Sequence, residues 1–217
     1  MLRTLRHCLL VFLCLAVVAY TVYVYGVLPL GAMMNPTMRA NFEHNWLGIY
    51  THVFASSLAL LLGPLQFSAR LRAARPRLHR WLGRTYLGVG IGLGGLAGLY
   101  MAAHAYGGFW ARSGFALLAL AWLYTGWQAY SAARARDISS HRRWMLRNFA
   151  LTLAAVSLRV LIPLSQIGGI PFSLAYPAIA WLCWVPNALL AEALLRRQSS
   201  QRRGSGLSAA ATARATQ

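Results

Sequence analysis

The sequence predicts an all-α, polytopic membrane helix bundle with six transmembrane helices. Three observations predict it. Of 217 residues, 58% are hydrophobic and only 11% charged, where a soluble domain carries about a quarter charged residues. The mean hydropathy is +0.49. Apolar runs of about 20 residues, the length that crosses a bilayer, recur along the chain. The charge is arranged by side: 21 basic residues face 3 acidic ones, for a net charge of +18. Every basic residue is arginine, and they cluster in short loops between the apolar runs. That is a topology signal, and it argues against a nucleic-acid partner. The apolar content excludes a disordered chain.

The first span runs from about Cys8 to Leu28. It opens like a signal peptide, with Arg3 and Arg6, but its apolar run is long and no small-residue cleavage site follows, so it reads as a retained helix. The second runs from Leu47 to Phe67, the third from Trp81 to Ala103 and the fourth from Ser113 to Ala133. The fifth runs from Leu146 to Ser165 and the sixth from Leu174 to Leu194. Residues 1–195 thus form one transmembrane domain. The tail from Arg196 to Gln217, made of Arg, Ser, Gln, Gly and Ala, is expected to be a disordered basic cytoplasmic segment. Cys8, Cys14 and Cys183 lie far apart without metal-ligand spacing and read as buried small hydrophobes.

The arginines assign the sides. Arg3 and Arg6, the group from Arg70 to Arg84, the group from Arg134 to Arg147 and those of the tail share one side if the helix count is even. Only Arg39 and Arg112 lie on the other, with Arg159 inside a span. Positive charge marks the cytoplasmic face, so both termini are expected in the cytoplasm, in a bacterial inner membrane. The third span carries Gly90, Gly94, Gly98 and Ala102 at intervals of four. Small residues at that spacing let another backbone approach closely, so this helix is expected at the centre of the bundle. Pro29, Pro36, Pro163, Pro171 and Pro177 sit near the outer helix ends, where a stop or kink costs little.

Two segments resemble each other. Leu78-His79-Arg80-Trp81-Leu82-Gly83-Arg84 and His141-Arg142-Arg143-Trp144-Met145-Leu146-Arg147 both read His-Arg-Trp-x-x-Arg at the start of an apolar helix, allowing one insertion. They suggest duplicated helix hairpins, second-third and fourth-fifth, or a pair of interfacial Trp-Arg anchors. With Gly63-Pro64-Leu65-Gln66-Phe67, Asn148 and Leu158-Arg159-x-x-x-Pro163, in that order, the chain resembles a family of bacterial multipass membrane proteins, domain of unknown function 2306. The resemblance covers about His52 to Pro163. It implies a bacterial membrane protein and carries no established reaction. The family pattern is associated with His52, His79, His141 and Arg159.

Polar groups within a bilayer are costly and are functional candidates by default. His52 and His104 fall toward the outer side, His79 and His141 toward the inner side. Two histidine pairs at two depths would suit a b-type haem electron carrier, because imidazoles from facing helices can hold haem in a bundle. His79 and His104 would be about 37 Å apart on a continuous helix, more than the hydrocarbon thickness of about 30 Å, so one of them lies at a surface. His44, His52 and His104 with Glu43 could form an outer zinc or copper site; each could equally be an interfacial histidine bonded to a carbonyl.

Asn148, Thr152, Ala155 and Arg159 share one face of the fifth helix. That face should point into the bundle, where Arg159 could meet Glu43, an anionic ligand or a haem propionate; the alternative is snorkelling to the outer headgroups. The inner arginines could also bind anionic lipid headgroups. The acids are Glu43, Asp137 and Glu192, too few and too scattered for paired-carboxylate catalysis. Three functions follow. One is a haem b electron carrier. The second is a transporter or binder of a small anion or lipid centred on Arg159, with Asn148 and Thr152. The third is a non-catalytic assembly subunit, held to a membrane-protein partner or to a second copy through the glycine face.

Overall fold

A computed structural model describes residues 2–33 and 35–198. It is helical throughout, with no strand among the described residues. Helix α1, Leu2–Val22, continues as a π-helical turn, Tyr23–Val27. A short helix α2, Pro36–His44, precedes α3, Trp46–Gln66. Helix α4, Ala69–Ala74, forms the corner before the third span. That span is one continuous helical rod in three parts: α5, Pro76–Thr85; a π segment, Tyr86–Leu93; and α6, Gly94–Ala103. Then come α7, Gly108–Arg134; α8, Ile138–Thr152; α9, Ala154–Ile167; α10, Phe172–Leu182; and α11, 185–198.

Among the described residues, five helical stretches are long and apolar enough to cross a membrane: Cys8–Val27, Trp46–Gln66, Pro76–Ala103, Ile138–Ile167 and Phe172–Gln198. The remaining expected span, α7, has 27 residues, about 40 Å of helix, but is less apolar. Its buried positions are mostly small or polar: Ala111, Gly114, Ala119, Thr125, Gly126 and Ala129. It packs against α6, the π segment, α8 and α10, so much of its surface meets protein.

Helices start and stop for local reasons. Asp137 caps α8, its carboxylate accepting the amide of Ser140 at 2.9 Å. Ser68 caps α4 in the same way. The fifth span breaks at Leu153, where Thr152 Oγ1 donates back to Asn148 O at 3.0 Å, a bond that bends helices. The sixth breaks at Cys183 and Trp184, ahead of Pro186, whose ring excludes an α bond to Leu182. Expected span ends hold within a few residues, but the first, third, fourth and fifth helices begin earlier than expected, at Leu2, Pro76, Gly108 and Ile138. Helices α2 and α4 carry no long apolar run and were not foreseen. The last helix runs through Gln198, so the start of the expected tail is helical; the rest lies outside the described residues. Cys14 and Cys183 are buried as expected, but Cys8 is exposed, because it lies on the outward face of α1.

The break at Leu153 shapes the molecule. At the arginine-rich end α8 packs against α7 and α3. At the other end a ring of neighbours closes: α1 on α3, α3 on α6, α6 on α7, α7 on α10, α10 on α9, and α9 on α1. One half is filled and the other is hollow.

The glycine row does what its spacing suggested. A Cβ at Gly90 would lie 2.8 Å from Ala59 Cβ, one at Gly94 3.1 Å from Ser56 Oγ, and one at Gly98 2.8 Å from the His52 ring. The row packs against α3 inside the chain, so it offers no bare face to a partner. Exposed Trp46 and Trp110 toward one end, and Trp81 and Trp127 toward the other, form the two aromatic belts of a membrane protein.

Candidate functional site

Between the filled and hollow halves lies a layer of buried hydrogen bonds. Tyr86 Oη donates to Asn148 Oδ1 at 2.6 Å and lies 3.1 Å from Thr152 Oγ1. Asn148 Nδ2 donates to Trp122 O at 2.8 Å and to Thr125 Oγ1 at 2.9 Å. Trp122 Nε1 donates to Thr152 Oγ1 at 2.9 Å. Asn148 is 0% exposed and its amide is fully engaged, so its role here is to join α8 to α7 and to the π segment. Buried networks of this kind rigidify a core when every member is satisfied.

Above this floor, in the arginine-poor half, lies a cavity of about 240 Å³. Every helix of the ring contributes to its wall, through residues such as Val17, Leu60, Met101, Phe115, Leu158 and Tyr176. Its polar lining comes chiefly from His52, Ser56, Ser57, Thr152 and Arg159. The volume is below the roughly 300–1,000 Å³ usual for drug-sized ligands, so a smaller molecule fits.

His52 stands on α3 and turns toward Gly94, whose carbonyl lies 2.9 Å from Nδ1. With Nδ1–H donated to that carbonyl, the neutral ring keeps a lone pair on Nε2. Gly98 makes the ring's place: any side chain there would collide with it.

Arg159 does not snorkel. It reaches back along α9, with Nη1 donating to Ala155 O at 3.1 Å and Nη2 to Thr21 Oγ1 at 3.2 Å. Its guanidinium lies 5.7 Å from the Tyr20 ring centroid. Among the described residues, Nε is buried without a hydrogen-bond partner, and no carboxylate answers the charge. Glu43, expected as one partner, pairs at 2.7 Å with Arg39 one turn earlier on α2. Glu192 pairs with Arg147, and Asp137 caps α8.

The other candidate residues are dispersed. His104 is not part of the cavity wall; its Nδ1 lies 3.0 Å from Tyr100 O and its ring 4.7 Å from that of Tyr100. His44 lies in a separate shallow groove with Trp46 and Tyr100. The outer set of His44, His52, His104 and Glu43 is therefore not gathered, and no three metal-ligating side chains cluster among the described residues. At the arginine-rich end His79 and His141 are electrostatic neighbours. His141 Nδ1 lies 2.9 Å from Ala129 O, whereas His79 Nδ1 is buried without a partner. In both repeated segments the arginine stacks on the tryptophan three residues before it, Arg84 on Trp81 at 5.8 Å and Arg147 on Trp144 at 4.6 Å. The arginine-on-tryptophan contact is shared, but Trp81 is exposed whereas Trp144 packs against the buried core, and the two histidines differ in surroundings.

Sequence reasoning missed Thr21, Tyr86 and Trp122. Thr21 was visible as a lone hydroxyl within an apolar run. The other two gave no signal, because their partners lie on different spans.

No curated protein and no solved structure matches the chain. The family model described as predicted membrane protein (DUF2306) matches residues 49–195, which include most of α3 with His52, the glycine row, the buried network and Arg159. The chain therefore belongs to the DUF2306 family of membrane proteins, embedded in the lipid bilayer by several helical spans.

Proposed function

We propose that the protein binds a small organic anion in the intramembrane cavity, as a carrier or receptor for it. The observation that carries this reading is Arg159: a cation at the cavity wall with an unpartnered buried Nε and no carboxylate counter-ion. An uncompensated charge in a low-dielectric interior is costly, and an anionic group entering the cavity would offset that cost. His52 Nε2 would accept a hydrogen bond from a hydroxyl or N–H on the same ligand. The apolar wall would take its hydrocarbon body. Thr152 joins this site as part of the floor, and Asn148 supports it from below.

The test is thermal unfolding of detergent-purified protein with small aliphatic and aromatic hydroxycarboxylates, each beside its neutral amide. A carboxylate should raise the midpoint and its amide should not. Arg159→Met should abolish the shift while leaving the ligand-free protein at least as stable, since it removes an isolated charge. If no acid shifts the midpoint, or the amides do so equally, the reading fails.

A second reading is a b-type haem electron carrier, which would use His52, whose Nδ1 lies 2.9 Å from the Gly94 carbonyl as metal-bound histidines commonly rest on a carbonyl, and the inner histidines His79 and His141. A haem-replete preparation with a Soret band that shifts on dithionite reduction would favour it; a colourless one would remove it. We also infer a bacterial cytoplasmic membrane with both termini inside, from the arginine asymmetry. Reporter fusions after Met38 and Tyr106 should then read outside, and fusions after Arg75 and Ser139 inside.

A further inference from the structure

We propose a second binding site, at the arginine-rich end, that holds a phosphate group among Gln66, Arg72 and His79. It lies where α3 ends, α4 turns the corner and α5 begins, in the opposite half from the cavity. Gln66 is 7% exposed, yet its Nε2 has no hydrogen-bond partner among the described residues. A buried amide left unsatisfied is destabilising, so native proteins seldom keep one without a use. The side chain lies across the bare backbone of α5: its Oε1 is 3.1 Å from where a Cβ on Gly83 would stand. His79 is one turn before Gly83 on the same face, and its Nδ1 is likewise buried and unpartnered. Arg72 is held at the same corner by a 3.0 Å bond from Nη1 to the Gln66 carbonyl.

The chemistry of the neighbourhood selects the ligand class. Arg72, Arg80 and His141 are the charged and titratable neighbours of His79. Of the three acids, Glu43 and Glu192 are paired with Arg39 and Arg147, and Asp137, one turn before His141, spends its carboxylate on the cap of α8. A field of cations with no free carboxylate repels a metal ion and attracts an anion. A side-chain amide, an imidazole and a guanidinium match the several acceptor oxygens of a phosphate. Trp81, two residues beyond His79 and 65% exposed, places the corner at interfacial depth. An anionic phospholipid headgroup and a free phosphate share this chemistry.

The test uses the full chain in dodecyl maltoside micelles, whose headgroup carries no phosphate. One arm adds phosphatidylglycerol to the micelles; the other titrates inorganic phosphate into them. Either source should raise the unfolding midpoint by several degrees. A shift with phosphatidylglycerol alone identifies the lipid, and one with inorganic phosphate identifies a soluble ligand. Gln66→Met should remove most of the shift, while its midpoint in maltoside alone equals or exceeds that of the parent. This exchange leaves the net charge unchanged, so the loss cannot come from general attraction between arginines and an anionic surface. His79→Leu, at a partly exposed position, should remove the shift as well. Absence of a shift from both sources overturns the proposal. So does a Gln66→Met protein that is destabilised in maltoside but keeps the full shift.

Discussion

Gly90→Ala, set beside Gly88→Ala, tests whether the glycine row is a fitted contact or only helix composition. A Cβ built on Gly90 would stand 2.8 Å from Ala59 Cβ, 3.1 Å from its Cα and 3.2 Å from its N. Carbon atoms pack at about 3.5–4.0 Å, so the third span and α3 would have to part by roughly 0.7 Å or more. The obstacle is largely backbone, which cannot rotate away. Overpacking of this kind costs about 1–3 kcal/mol, and alanine returns about 0.5–1 kcal/mol of backbone entropy relative to glycine. The net loss is about 0.5–2 kcal/mol. At about 2–4 °C per kcal/mol for a chain of this size, the midpoint should fall by roughly 1–8 °C. Gly88 lies in the same π segment, and a Cβ there meets nothing within 4 Å. Gly88→Ala should therefore hold or raise the midpoint. Thermal unfolding of both variants in one detergent cancels the intrinsic preference for alanine. Equal midpoints would refute the close approach of α3 at Gly90.

Tyr86→Phe should destabilise the protein by about 1–3 kcal/mol, because it strands the buried Oδ1 of Asn148; thermal unfolding measures the loss, and an unchanged midpoint would mean that water or another donor replaces the hydroxyl. The Asp137 carboxyl is held down at about 2, chiefly by the amide of Ser140 and then by the hydroxyls of Ser140 and Ser139. A depressed folded value means that the cap of α8 is fully effective above the ordinary carboxylate range, near pH 4, and is lost as pH falls through about 2. The amide resonance of Ser140 should follow that titration, and a midpoint at or above 4 would show that the cap is not formed.

Length, apolar runs and arginine placement carried the fold, because a bilayer makes hydrophobicity and charge report directly on position. The glycine row was legible for the same reason: spacing of four defines a face, and a face without side chains must meet a backbone. Arg159 was legible as a charge within a span, but its lack of a counter-ion was not. That depended on Arg39 claiming Glu43 and Arg147 claiming Glu192, one pairing local and one across 45 residues. The breaks at Leu153 and before Pro186 were equally hidden. Each is a local bending rule acting within a continuous apolar run, so hydropathy saw one helix where the chain makes two. The hollow follows from the first of these breaks, and nothing in the pattern of side-chain types announced it.

The π segment at Tyr86–Leu93 also fixes a phase. A π turn holds more residues than an α turn, so it acts as a register offset between the two ends of the rod. Below it, α5 presents His79 and Gly83 toward the Gln66 corner. Above it, α6 presents Gly94 and Gly98 toward His52. Each residue of offset corresponds to about 100° of rotation in an α-helix. Rewinding the segment by one residue would therefore leave one end in place and turn the other about a quarter of a revolution. The rod works as a keyed shaft: its winding sets which face each leaflet's half of the protein receives.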